Sequence, residues 1–143
     1  MKRILSVMIV ICFLFTLTGC NSRESNRKEI FDLVERNYDA IVAACQSKDI
    51  DALTAIDGIT KVTIADGYVL MFCKAEGIAP SSQDYGFYYS EENSPIAVDC
   101  AHNILCRSEA LTPNGSGFQY SYQGNLFYTE HIKGNLYFYR TEY

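Results

Sequence analysis

Gly124-Asn-Leu-Phe-Tyr-Thr-Glu-His-Ile-Lys133 runs directly into Gly134-Asn-Leu-Tyr-Phe-Tyr-Arg-Thr-Glu-Tyr143, so the chain repeats itself every ten residues. Each copy opens on Gly-Asn and continues into an aromatic-rich core. A period of this length is one strand plus its turn, and glycine and asparagine both accept the left-handed backbone that tight hairpins require. The repeat predicts adjacent antiparallel strands over 126–132 and 136–143, with 118–122 as the strand before them.

The β signal continues upstream. Ile59-Thr-Lys-Val-Thr-Ile64 and Tyr68-Val-Leu-Met-Phe-Cys73 flank Asp66-Gly67, a favoured hairpin turn. Further short strands are expected at 85–89, 96–100 and 104–111, with a loop over 77–83 and a turn cluster over 112–117. Before residue 58 the period changes. Ile30, Leu33, Val34, Tyr38, Ile41, Val42 and Cys45 recur at steps of three and four, which places one apolar stripe along a helix. A short second helix is expected over 50–56. The fold class read from this pattern is α+β: an N-terminal amphipathic helix packed on a mostly antiparallel sheet or meander, forming one domain over 29–143.

The first residues read differently. Met1-Lys2-Arg3 precedes an apolar run from Ile4 to Leu17 interrupted only by Ser6 and Thr16. Positive charge followed by an apolar run too short to span a bilayer is the pattern of an export signal. Leu17-Thr18-Gly19-Cys20 then resembles the lipobox of bacterial lipoproteins. That resemblance implies a signal peptide over 1–19, removed on export. Cys20 would be the new N-terminus, its sulfur carrying diacylglycerol. It also implies attachment to the outer face of the cell membrane, since two acyl chains anchor stably. Residues 20–28 would comprise the lipid-modified cysteine and a polar tether, because Asn21 to Lys28 contains no hydrophobic group.

The whole chain carries 12 Lys and Arg against 17 Asp and Glu. Loss of Lys2 and Arg3 makes the remainder more acidic still. An acidic surface repels phosphate backbones, so no nucleic-acid partner is expected. Arg23, Arg27 and Lys28 alternate with Glu24 and Glu29, which reads as a solvated stretch and not a polybasic patch.

With Cys12 inside the signal and Cys20 acylated, Cys45, Cys73, Cys100 and Cys106 remain. Exported domains commonly oxidise such sets, and two readings stand. In one, Cys100 and Cys106 staple a hairpin while Cys45 on the helix meets Cys73 on a strand. In the other, all four are buried thiols acting as small hydrophobes. Cys100, His102 and Cys106 fall short of a structural zinc set, so no metal or cofactor is expected.

Catalysis is not expected either. A Cys–His pair can be written from Cys73 or Cys106 with His131, the basis of an alternative reading as a small envelope hydrolase. No local signature surrounds either cysteine, and serine-elbow, zinc-protease and phosphate-loop motifs are absent. Tyrosines are the remaining candidates. Tyr120, Tyr122, Tyr137, Tyr139 and Tyr143 sit on the last strands. If one sheet face packs under the helix and the other is open, they form a platform for a protein, a peptide or a cell-envelope glycan.

Gly86-Phe-Tyr-Tyr-Ser90, Asp66-Gly-Tyr-Val69 and Gly134-Asn-Leu-Tyr-Phe-Tyr139 resemble segments of small, uncharacterised lipoproteins of Firmicutes. That likeness implies a Gram-positive plasma membrane and no catalytic residue. The sequence thus points to a lipid-anchored, non-catalytic binding or interaction domain at the cell envelope.

Overall fold

The computed structural model describes the side chains of residues 22–78, 81–99 and 101–143; residues 1–19, expected to be a signal peptide, and Cys20 and Cys100 lie outside them. Helix α1 (Lys2–Ser47) is followed from Ser22 onward, and α2 (Ile50–Thr54) comes after it. The strands are β1 (Lys61–Ala65), β2 (Tyr68–Glu76), β3 (Gln83–Ser90), β4 (Ile96–Val98), β5 (Ile104–Arg107), β6 (Thr112–Asn114), β7 (Gly117–Tyr122), β8 (Asn125–Lys133) and β9 (Leu136–Glu142). Seven of them form one sheet in the order β1-β2-β3-β9-β8-β7-β6, and β4 pairs only with β5. Every pairing is antiparallel, and the class is α+β as the patterning requires.

The helix stripe packs on one sheet face. Ile30, Leu33, Val34, Ile41 and Cys45 are buried against Val69, Met71, Tyr85, Phe87, Leu136 and Phe138. Asp49 caps α2 by accepting the Ala52 N–H at 3.0 Å, satisfying a donor that the first turn leaves free. The opposite sheet face is covered too. The β4–β5 hairpin lays Ile96 and Val98 onto Tyr68, Leu70, Tyr88, Tyr137 and Tyr139. β3 lies between β2 and β9 under both covers, and every residue from Asp84 to Ser90 is buried. A strand wetted on neither face has no reason to alternate, which is why Tyr85-Gly-Phe-Tyr-Tyr89 reads as a continuous apolar run.

Three expectations about local structure change. Residues 22–28 are not a loose tether but helix, continuous with α1. Asn26 is only 4% exposed, and Arg23 bonds Glu142 at 3.1 Å. The physical reason is that Asn26 lies one turn before Ile30 and so extends the buried face upstream with polar residues. Thr112–Asn114, expected within a turn, forms the edge strand β6, where Pro113 is tolerated because one side of an edge needs no N–H. The strand expected over 104–111 stops at Arg107 and gives way to a short 3-10 turn, Ser108–Ala110.

The register gives the sheet two distinct ends. Glu76, Gln83, Glu142, Leu126 and Ser121 follow one another across five strands. Arg23 meets this row through Glu142. The Asp66–Gly67 turn, Glu91 and the Gly134–Asn135 turn lie at the other end, where Lys48 after α1 pairs with Glu91 at 3.5 Å.

Candidate functional site

The aromatic side chains of the last strands divide into an interior set and a rim. Tyr137 and Tyr139 are 6% and 1% exposed, so the platform read from alternation does not include them. The β4–β5 hairpin covers that face and takes them into the core. Tyr137 stacks on Tyr88, centroids 5.3 Å apart and planes 5° from parallel. The Tyr88 hydroxyl accepts the Ile96 N–H at 2.9 Å and lies 2.7 Å from Thr129 Oγ1, which itself donates to the Phe138 carbonyl at 3.1 Å. Burial pushes the Tyr88 phenol up, so it stays protonated and serves to dock the hairpin.

His102 performs the same task from the loop after β4. Its Nδ1 lies 2.8 Å from Thr63 Oγ1 and its Nε2 3.1 Å from the Tyr139 hydroxyl. The residue takes φ +63°, which turns the ring down onto the sheet. Burial, together with the charge of Lys61, lowers its pKa to about 4, against the opposing pull of Asp99. A neutral imidazole donates at one nitrogen and accepts at the other, and two hydroxyls fit both roles. Tyr139 reaches this position because residue 86 is glycine. A Cβ there would meet the Met71 backbone carbonyl and come within 2.6 Å of the Tyr139 hydroxyl.

A second polar assembly joins α1 to the other face. Arg27 donates to both carboxylate oxygens of Glu130, at 2.7 Å each, while its guanidinium lies 4.3 Å from the centre of the Phe31 ring. The Tyr128 hydroxyl donates to the same carboxylate at 3.2 Å. Burial alone would raise the Glu130 carboxyl. Hydrogen bonds from Arg27 and Ser116 and the charge of Arg27 overcome it and hold the group below the usual carboxylate range. Arg27, read as part of a solvated stretch, is therefore a structural clamp. The signal that could have found it is its place three residues before Ile30, on the edge of the stripe.

The surface aromatics are Phe118, Tyr120 and Tyr122 on β7, with Tyr143 at the chain end. Phe118 is 37% and Tyr122 48% exposed, and Phe118 was not among the expected binding residues. Tyr120 stacks on Tyr122 at 6.4 Å and 11°, and Tyr143 meets Phe127 edge-on at 6.3 Å. β6 pairs with β7 only over Gly117–Gln119. Among the described residues, no strand pairs with the outer edge of residues 120–122. The rim therefore joins flat aromatic side chains to unpaired backbone groups.

The sequence leaves the thiols either bridged or free. Cys45, Cys73 and Cys106 are free. Cys45 and Cys73 do meet in one core cluster, from helix and strand, but the Cys45 sulfur rests 4.0 Å from the Met71 thioether. Cys73 occupies a bulge where the β2–β3 register shifts. Cys100, the suggested partner of Cys106, lies outside the described residues. Burial pushes both Cys45 and Cys73 up to about 12, so neither is a thiolate at neutral pH. In native protein at pH 7.5, both should resist a maleimide reagent and react once the chain is denatured. Labelling of either in the native state at the denatured rate would contradict this packing.

His131 is exposed, with its Nε2 2.7 Å from the Gly134 carbonyl and its ring edge-on to Tyr137. Cys73 faces α1 on the other side of the sheet, with β3 and β9 between the two strands. Cys106 packs in a separate cluster with Leu111 and Phe127. The structure brings neither thiol to an imidazole. Among the described residues, no three His, Cys, Asp or Glu side chains are placed to hold a metal ion.

In comparisons with known proteins, the chain matches no family model, enzyme or otherwise, no curated protein and no solved structure.

Proposed function

We propose that this chain is an exported lipoprotein, tethered through acylated Cys20 to the outer face of a bacterial cell membrane, and that it works there as a non-catalytic interaction domain. Its ligand is an extended segment of a protein or peptide laid along the outer edge of β7. The observation that carries this reading is the stacked Tyr120–Tyr122 pair beside unpaired backbone at 120–122. A strand added at a free edge draws affinity from main-chain hydrogen bonds and specificity from side chains on the flanking faces. Tyrosine supplies large contact area at small entropic cost, the property that makes it common at binding hot spots. The thiols, two of them buried and protonated and none brought to an imidazole, support a binding role over a Cys/His hydrolase, because nucleophilic attack at neutral pH requires a thiolate or an adjacent base.

The anchor and the edge are tested separately. Labelled fatty acid fed to the cells should enter the protein, and Cys20→Ser should abolish that labelling; labelling that persists in the variant, or none in the parent chain, would remove the anchor from the reading. A thermal-shift screen against a peptide library and envelope glycans should yield peptide ligands. Their affinity should fall about thirtyfold in Tyr120→Ser, a loss of roughly 2 kcal/mol as at an aromatic hot spot. Peptides bound equally well by Tyr120→Ser and Phe118→Ser, or hits confined to glycans, would reject the edge as the site.

A further inference from the structure

We infer that the domain is not suspended above the bilayer but seated on it. Ile78 and Tyr122 form its base in the headgroup layer of neutral lipid. The inference rests on the proposed acylation of Cys20 and adds the orientation of the domain.

The argument begins with the helix. Residues 22–28 belong to α1, and Arg23 is bonded to Glu142. Three residues separate Cys20 from Arg23, a reach of at most about 10 Å. A nine-residue flexible tether would have let the domain drift and tumble, whereas a packed helix holds the sheet end at Glu142 beside the acyl chains. That end is the row Glu76, Gln83, Glu142, Leu126 and Ser121. Ile78 lies just past Glu76, and Tyr122 just past Ser121.

Both side chains are unusual for a solvated surface. Ile78 is 87% exposed and Tyr122 48%. Four strand spacings separate their strands, so they stand about 20 Å apart on either side of α1's point of entry. An isoleucine reaching into the acyl boundary and a tyrosine at headgroup level match the preferences of a membrane interface. Charge supplies no alternative pull. Glu24, Glu76 and Glu142 stand at this end, and its cations Arg23 and Arg140 are both paired with Glu142, so neither is left to draw anionic lipid. The seat is therefore apolar and indifferent to salt. Tyr122 ends the open edge and Tyr120 lies two residues, about 7 Å, back from it, so a peptide on that edge is bound at headgroup level and Tyr122 belongs to both surfaces.

The chain has no tryptophan, so an introduced one reports alone. Ile78→Trp, Tyr122→Trp and, at the opposite end, Asp66→Trp would each be made in the full chain, expressed in its bacterial host and reconstituted into phosphatidylcholine vesicles. Mass spectrometry first establishes diacylglycerol on Cys20. Emission from positions 78 and 122 should shift to the blue and fall roughly twofold with brominated lipid, as for rings lying about 5–10 Å into the boundary. Position 66, whose native side chain is fully exposed, should show neither effect. The quench should be the same at low and high salt. Acylated protein with an unquenched probe at 78 and 122 overturns the seat and leaves the anchor standing. A blue shift without lipid quenching, the mark of contact with another protein, overturns it equally. An unmodified Cys20 overturns both seat and anchor.

Discussion

Arg27→Gln is expected to lower the unfolding free energy by about 3–5 kcal/mol, the cost of leaving a buried charge without its partner. Glu130 is 4% exposed and takes both of its shortest hydrogen bonds from Arg27. Glutamine cannot supply the two parallel donors of a guanidinium, and the carboxylate must then either stay charged in a desolvated site or take up a proton. The midpoint in urea should fall with little change in slope, since the surface exposed on unfolding is the same. The double variant Arg27→Met with Glu130→Leu separates the pair's net worth from the penalty of breaking it. It should recover most of the loss, because two apolar side chains of similar size leave no charge behind. Equal destabilisation in the single and double variants would show that the loss comes from the missing pair itself and not from an orphaned charge.

Acid should weaken the fold through His102. The folded-state pKa is lowered to about 4 from an ordinary value of 6.5, so between those limits the unfolded chain binds a proton that the folded chain does not. Above pH 6.5 both states are neutral and the group contributes nothing. As pH falls through the window, stability drops by about 1.4 kcal/mol per unit, reaching roughly 3 kcal/mol near pH 4. The structural cause is that a doubly protonated ring must donate to both Thr63 and Tyr139 in a buried site near Lys61. The charge of Asp99 opposes this, but less than burial and Lys61 favour it. Asp84, held above the usual carboxylate range by burial, gives an effect of opposite sign, because its folded form takes up a proton first. His102→Asn tolerates the positive φ and does not titrate. The difference between the two stability profiles therefore isolates the histidine. Parallel profiles from pH 7 to pH 4 would assign the acid response to other groups.

Both predictions concern how layers are held to a sheet, and this is where sequence and structure divide. The hairpins at Asp66–Gly67 and Gly134–Asn135, the helix stripe and the antiparallel character follow from local chemistry. Their signals are turn residues and periods of two or 3.6, and these act over a few neighbours. Ile30 to Cys45 packs as that period demands, and the ten-residue repeat becomes β8 and β9.

The candidate site was less legible, for a reason that lies in topology. Alternation assigns Tyr137 and Tyr139 to one face, and the structure keeps them there. It cannot say whether that face is wet. The answer depends on β4–β5, a hairpin that leaves the sheet and folds back across it. The same limit applies to β3, whose insertion between β2 and β9 is a long-range pairing with no local signature. Arg27 was read as solvated because its partner Glu130 lies 103 residues away. Likewise, helix and strand do bring Cys45 and Cys73 into one cluster, but the Met71 side chain meets the first of them. Consecutive residues fix most of the helices and strands and their period, because those signals are local. Only the tertiary structure decided which tyrosines became core, which charges became clamps and which sheet edge stayed open, because burial is a property of what covers a residue and not of the residue.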